Sequence, residues 1–206
     1  MAEKGLIVSV SGPSGVGKGT VLKRVGELIE ARWPGKAAYS ISATTRSPRP
    51  GETDGVEYHF RTKEEFEKMI AEGEIIEYDQ YVGNYYGTPA APIAAKVSEG
   101  KVVFCDITIE GSLALNNKFP EDVVTIMLLP PSYAELEARL KGRGTEDDAK
   151  VAARLAKARE EIARAGEFEY VVQNNEVEQA AEDIMKIVES EMLRTFRQEQ
   201  TIKNLE

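Results

Sequence analysis

Residues Gly12 to Thr20 read Gly-Pro-Ser-Gly-Val-Gly-Lys-Gly-Thr and follow directly on the apolar run Leu6-Ile-Val-Ser-Val10. Gly12, Gly17 and Lys18 have the spacing of a phosphate-binding P-loop, which requires a strand before the turn and a helix after it. Glycines let the backbone curl until successive N–H groups point inward at a phosphate. Lys18 adds a positive charge, and the helix behind it offers its positive N-terminal end. That helix is legible in Val21, Leu22, Val25, Leu28 and Ile29, which recur at helical spacing. One position departs from the strict pattern. Gly19 stands where Ser or Thr normally follows the lysine, and Thr20 comes one residue later. The Thr20 hydroxyl is the candidate contact for Mg²⁺ or its water. The candidate phosphate-binding residues are thus Gly12, Pro13, Ser14, Gly15, Val16, Gly17, Lys18, Gly19 and Thr20.

The rest of the chain alternates strands with helices. Residues 6–10, 38–42, 101–106, 123–129 and 170–172 read as strands, and the first helix spans about 18–32. The run Val102-Val-Phe-Cys-Asp106 is nearly continuous in apolar residues, as a strand buried on both faces should be. Ser132 with Glu135, Thr145 with Asp148, and Asn175 with Glu178 have capping-box spacing and predict helix starts. Such alternation implies an α/β fold, a parallel sheet of five strands with helices on both faces.

Two stretches break the alternation. Residues 40–98 hold short strand signals (Val56-Glu-Tyr-His-Phe60, Glu74-Ile-Ile-Glu-Tyr78, Gly83-Asn-Tyr-Tyr-Gly-Thr88) around a small helix at Lys63–Ala71. They predict a β-rich lobe inserted opposite the P-loop. Residues 138–166 are charged and helical, with Gly142-Arg-Gly144 near their start. Most basic residues there, Arg139 and Arg164 among them, read as a solvated helix face. Arg143 differs because two glycines free its backbone. The expected divisions are a core of 1–39, 99–137 and 167–206, a lobe of 40–98 and a lid of 138–166.

Asp106 ends its apolar strand where a carboxylate would handle Mg²⁺ or its water shell. The alternative is a strand-end Asp that caps the next helix. His59 has no Cys or His partners in sequence and reads as structural. Cys105, inside a strand, reads as a packing residue, and Trp33 as a cover for the core at a helix end.

A net charge of −9 over 206 residues argues against a nucleic-acid polymer as partner, since phosphate backbones need a basic surface. It leaves room for a small phosphorylated ligand held by a local arginine cluster. The sole cysteine allows no intrachain disulfide. The first residues lack the apolar core of a signal peptide, and no run approaches membrane-spanning length. A cytoplasmic protein without a membrane partner is expected.

The chain resembles guanylate kinases along nearly its whole length. The resemblance rests on Gly12-Pro-Ser-Gly-Val-Gly-Lys18, Ser42-Ala-Thr-Thr-Arg-Ser-Pro-Arg-Pro-Gly-Glu52, Tyr58, Ile76-Glu77, Gly83-Asn-Tyr-Tyr-Gly-Thr88, Leu140-Lys-Gly-Arg-Gly144 and Arg154, in the family's order. It implies a core, a lobe for guanosine monophosphate (GMP) and a lid. Arg46 and Arg49 resemble the pair that grips the GMP phosphate, for which two guanidinium forks are suited. Tyr58 and Tyr86 resemble the tyrosines that add hydroxyl donors. Glu77 resembles the guanine-reading carboxylate, an acceptor for the N1–H and 2-amino donors of the base. Ser42 and Thr88 resemble its hydroxyl companions, and Asn174 a residue on the adenine side.

The implied reaction is phosphoryl transfer from MgATP to GMP or dGMP, with Mg²⁺ as the cofactor. Lys18, Arg46, Arg143 and Arg154 would be catalytic, Asp106 would lie at the substrate and, with Thr20, at the metal. The chain would act as a monomer or homodimer. Two positions depart from the family's pattern: Thr108 stands where an aspartate is usual, and Asn175 replaces a second one. Thr108 can replace a hydrogen bond but not a charge. Rival readings are a related kinase of a phosphorylated sugar, a kinase of another nucleotide, and a non-catalytic interaction domain of the same fold.

Overall fold

The computed structural model describes residues 4–141 and 148–205. Its first elements are β1 (Leu6–Ser11), α1 (Lys18–Arg32), β2 (Ala37–Tyr39), β3 (Ala43–Thr44), β4 (His59–Phe60) and α2 (Lys63–Ala71). There follow β5 (Ile75–Tyr81), β6 (Asn84–Pro89), α3 (Ala90–Ser98), β7 (Val102–Asp106), α4 (Ile109–Lys118) and β8 (Val123–Leu129). The chain continues through α5 (Tyr133–Lys141), α6 (Asp148–Ala163), β9 (Tyr170–Gln173), α7 (Val177–Met192) and α8 (Glu199–Lys203).

Five strands form a parallel sheet in the order β2-β7-β1-β8-β9. β1 lies at its centre and is buried along its whole length. Side chains alternate across a strand, so β1 serves two layers. Leu6, Val8 and Val10 pack with Val21 and Val25 of α1 and Ile184 and Val188 of α7. Ile7 packs on the other face with Ile93, Val97, Val103 and Leu115. Coverage of both faces explains why β1, β7 and β8 read as nearly continuous apolar runs. The register pairs Val10 with Asp106, which sets the strand-end carboxylate beside the start of the P-loop.

A second sheet, in the order β4-β3-β6-β5, forms the lobe. Phe66 of α2 is fully buried and stacks on Tyr85 of β6, with centroids 5.2 Å apart and planes at 8°. Thr62 caps α2 with a complete capping box closed by Glu65. Phe66→Ala removes the lobe's largest buried side chain and is expected to cost about 3–5 kcal/mol. Thermal unfolding will show it as a loss of stability.

Some predicted elements change. Residues 38–42 are not one strand. The Ser40 N–H donates to Phe104 O in the main sheet at 2.8 Å, and Ser42 O accepts from the His59 N–H in the lobe at 2.8 Å. The chain thus changes sheet within two residues, which no side-chain pattern announces. Only His59 and Phe60 of 56–60 are strand, because Gly55 N–H closes a turn onto Tyr58 O at 2.8 Å and leaves Val56 exposed. The expected cap at Asn175 is absent: α7 starts after Glu176 without a side-chain cap, and Asn175 Nδ2 donates to Gln173 Oε1 instead. Ser132 does accept from the Glu135 N–H at 3.1 Å, whereas Thr145 lies outside the described residues. Cys105 is buried, and burial pushes its thiol up to about 12. Burial pulls His59 below its usual value.

Candidate active site

The P-loop is shaped by contacts that admit no side chain. Gly17 caps α1 at φ +95°, a left-handed conformation that residues with a Cβ rarely adopt. A Cβ on Gly12 would lie 2.3 Å from Leu128 O. Lys18 Nζ donates to Gly12 O at 2.8 Å and stands 3.9 Å from Asp106 Oδ1. From behind, Asn174 Nδ2 donates to Val16 O at 2.7 Å. Arg139 reaches Asn174 O at 3.3 Å and Val16 O at 3.5 Å, so it braces the loop rather than facing solvent. Arg164 likewise is no idle surface charge, since it bonds Glu110 and Glu167. Arg154 of α6 donates to Ser14 Oγ at 2.6 Å and joins α6 to the P-loop. Arg143 lies outside the described residues.

A cleft of about 340 Å³ separates the two sheets. Gly12, Ser14, Lys18 and Asp106 line it from the core, Ser42, Glu77, Asp79 and Tyr86 from the lobe, and Glu161 from α6. Glu161 was not legible as a cleft residue, because only the packing of α6 turns it inward. Thr20 is exposed one turn into α1. Asp106 does not cap the following helix. Thr108 does, accepting the Gly111 N–H at 3.0 Å. Asp106 thus keeps its carboxylate toward Lys18.

Glu77 is half-buried, and Thr88 Oγ1 donates to its Oε1 at 2.8 Å. Burial pushes the Glu77 carboxyl above its usual range, against the pull of the Thr88 and Thr108 hydroxyls. A carboxyl with a raised folded pKa binds protons better folded than unfolded, so its contribution to stability is lost as pH rises through that pKa. Glu77→Gln is therefore expected to leave the chain at least as stable as wild type at pH 7. Urea unfolding at pH 5 and 8 tests the sign: the variant should gain on wild type as pH rises.

An arginine and two tyrosines gather beside the cleft. The Arg46 guanidinium lies 5.5 Å from the Tyr58 ring centroid, and the Tyr58 and Tyr86 rings meet edge to face at 6.0 Å. Glu52 holds Arg46 Nη2 at 2.9 Å and accepts the Arg49 N–H at 2.7 Å. The Arg46 guanidinium holds the Glu52 carboxyl below the usual range. Glu52 is thus the brace of the arginine turn. Sequence reading assigned it no role, although it is the carboxylate that closes the arginine-bearing motif.

A Gly-rich loop with its lysine on one side of the cleft and a guanidinium among phenols beside the other, set on a five-stranded parallel sheet, are the features of a P-loop kinase fold. A family model described as Guanylate kinase matches residues 4–191. The guanylate kinase of Lactococcus lactis is 48% identical over 197 residues, covering 96% of this chain and 93% of that protein. That of Streptococcus thermophilus is 47% identical over 96% of this chain and 92% of its own. The crystal structure of guanylate kinase from Anaplasma phagocytophilum superposes with a TM-score of 0.68 at 31% identity, covering 96% of this chain and 92% of that one. The chain belongs to the guanylate kinase family.

Proposed function

We propose that the chain transfers the γ-phosphate of MgATP to GMP, and to dGMP, giving ADP and GDP. The observation that carries this reading is the half-buried Glu77 carboxylate, held by Thr88 at 2.8 Å in the cleft that Lys18 also lines. A carboxylate placed to accept two adjacent donors matches the guanine edge and opposes adenine N1. A sugar-phosphate kinase has no need of that pair.

The P-loop amides and Lys18 hold the ATP phosphates, and Arg154 neutralises charge on the transferring group beside Ser14. Asn174, whose Nδ2 holds Val16 O of the P-loop at 2.7 Å, lies on the adenine side of ATP. Arg46, Arg49, Tyr58 and Tyr86 hold the GMP phosphate, with Ser42, Glu77 and Thr88 around the base. Thr20 and Asp106 are hard oxygen donors that suit the Mg²⁺ carried by ATP, which supplies charge neutralisation to the phosphates.

The acceptor phosphate needs no general base, since its second pKa is about 6. Catalysis is then positioning and charge neutralisation. Residues 40–98 act as the GMP lobe and 138–166 as the lid, with Arg143 on it; their closure keeps water from the γ-phosphate. The partners are small nucleotides in a reducing, cytoplasmic setting. No described helix is long and apolar enough to cross a membrane.

The test is ADP release with MgATP and GMP, dGMP, AMP, UMP or ribose phosphates as acceptors. Turnover confined to GMP and dGMP supports the reading. Equal use of AMP, or turnover only with a sugar phosphate, overturns it.

A further inference from the structure

Glu77 is wedged between β6 and helix α4. On the β6 side a Cβ added to Gly87 would lie 2.7 Å from Glu77 O, so the two strands approach this closely only because residue 87 has no side chain. Thr88 Oγ1 holds the carboxylate there at 2.8 Å. On the other side stands Gly111, in the first turn of α4. A Cβ built on Gly111 would lie 2.6 Å from Glu77 Cγ and 3.1 Å from Glu77 Cδ. Real carbon contacts do not come that close, so one partner has to move.

Helix α4 is the partner that cannot. Ser112, next to Gly111, is fully buried, with its hydroxyl 2.6 Å from Ser9 Oγ and 2.8 Å from Ser11 Oγ of β1. Ser11 Oγ also donates to Ile107 O at 2.9 Å. Withdrawing α4 would strand these buried hydroxyls, at the full cost of unmade hydrogen bonds. The Thr108 cap on the Gly111 N–H fixes the same turn. What yields is the Glu77 side chain, which ends in the open cleft.

We propose that Gly111 is a specificity-positioning residue: its lack of a side chain leaves the space in which Glu77 lies, and so aims the carboxylate at the guanine edge. This rests on the GMP reading above. Gly111 touches no substrate and acts only through Glu77. A glycine within a helix is otherwise a poor choice, even in the first turn, since Ala is the better helix former.

The experiment is steady-state kinetics and thermal unfolding on the full chain, in wild type, Gly111→Ala, Glu77→Asp and the double variant. Gly111→Ala is expected to raise KM for GMP about 10- to 100-fold, the penalty of a displaced substrate-positioning group. Its kcat and its KM for ATP should stay within roughly threefold of wild type, because the transferring phosphate is untouched. Glu77→Asp removes a methylene and frees the space, so the double variant should lose less than the product of the single losses. An unchanged KM in Gly111→Ala, or single losses that multiply, overturns the proposal.

Should Gly111→Ala fail to fold, Glu77→Ala is compared with Glu77→Ala/Gly111→Ala. A double variant at least as stable as Glu77→Ala supports the wedge, and one less stable overturns it. The two readings fail differently. Wild type without a preference for GMP over AMP removes the GMP reading and this inference together. A GMP-selective wild type with an indifferent Gly111→Ala removes this inference alone.

Discussion

Lys18→Ala is expected to lower kcat by roughly 10³-fold while the chain stays folded, a loss typical of a charge removed from a transferring phosphoryl group. Lys18 Nζ already sits within the P-loop, 2.8 Å from Gly12 O and 3.9 Å from Asp106 Oδ1. Its burial supports no hydrophobic layer, so its removal costs chemistry rather than packing. Two outcomes of the same measurement are informative. The GMP KM should move little, because the lysine belongs to the core and the proposed GMP contacts to the second sheet's lobe. The melting temperature should fall only slightly, since Asp106 loses its attracting cation and Gly12 O its donor while the hydrophobic layers are untouched. Near-normal turnover in this variant would remove the P-loop from the mechanism.

The second large effect concerns base choice. Wild type is expected to prefer GMP to AMP by roughly 10⁴-fold in kcat/KM, the range reached by sites whose buried polar groups go unpaired with the wrong ligand. Glu77→Gln should collapse much of that preference, and the structure supplies the reason. Thr88 Oγ1 donates to one oxygen of residue 77 at 2.8 Å. In the glutamine variant that donor selects the amide oxygen and turns the amide nitrogen toward the base. The site then offers adenine N1 a donor and guanine N1–H a clash of donors. Loss should appear mostly in GMP binding, and some gain in AMP use. Measured kcat/KM for both nucleotides in both proteins decides it. Unaltered selectivity in Glu77→Gln would show that another group reads the base.

Much of this molecule is legible along the chain because its signals are local. The P-loop is one turn, read from nine consecutive residues. The inner parallel strands β1, β7 and β8 announce themselves as nearly apolar runs because they are covered on both faces. Helix α2 spans the residues 63–71 at which the sequence places a small helix. The motif residues Ser42, Glu77 and Tyr86 are spread over the lobe segment, yet they line the same cleft as Lys18 and Asp106.

Other features exist only in three dimensions. The switch from one sheet to the other between Ser40 and Ser42 depends on which backbone carbonyls happen to be near, and side-chain patterns do not record it. Arg139 and Glu161 lie in a run of charges that reads as a solvated face. Folding sets one behind the P-loop and the other in the cleft. Ser9 and Ser11 are ordinary small residues in sequence, about a hundred positions from Ser112, and the three become a buried hydroxyl cluster only when α4 docks on β1. The sequence by itself determined the chemistry, because a phosphate cradle and an arginine-bearing turn are short-range constructions. The tertiary structure alone decided the aim of that chemistry. Where the Glu77 carboxylate points is settled by Thr88 on one side and the absent Cβ of Gly111 on the other, and distances of that kind are fixed by packing between elements far apart in the chain.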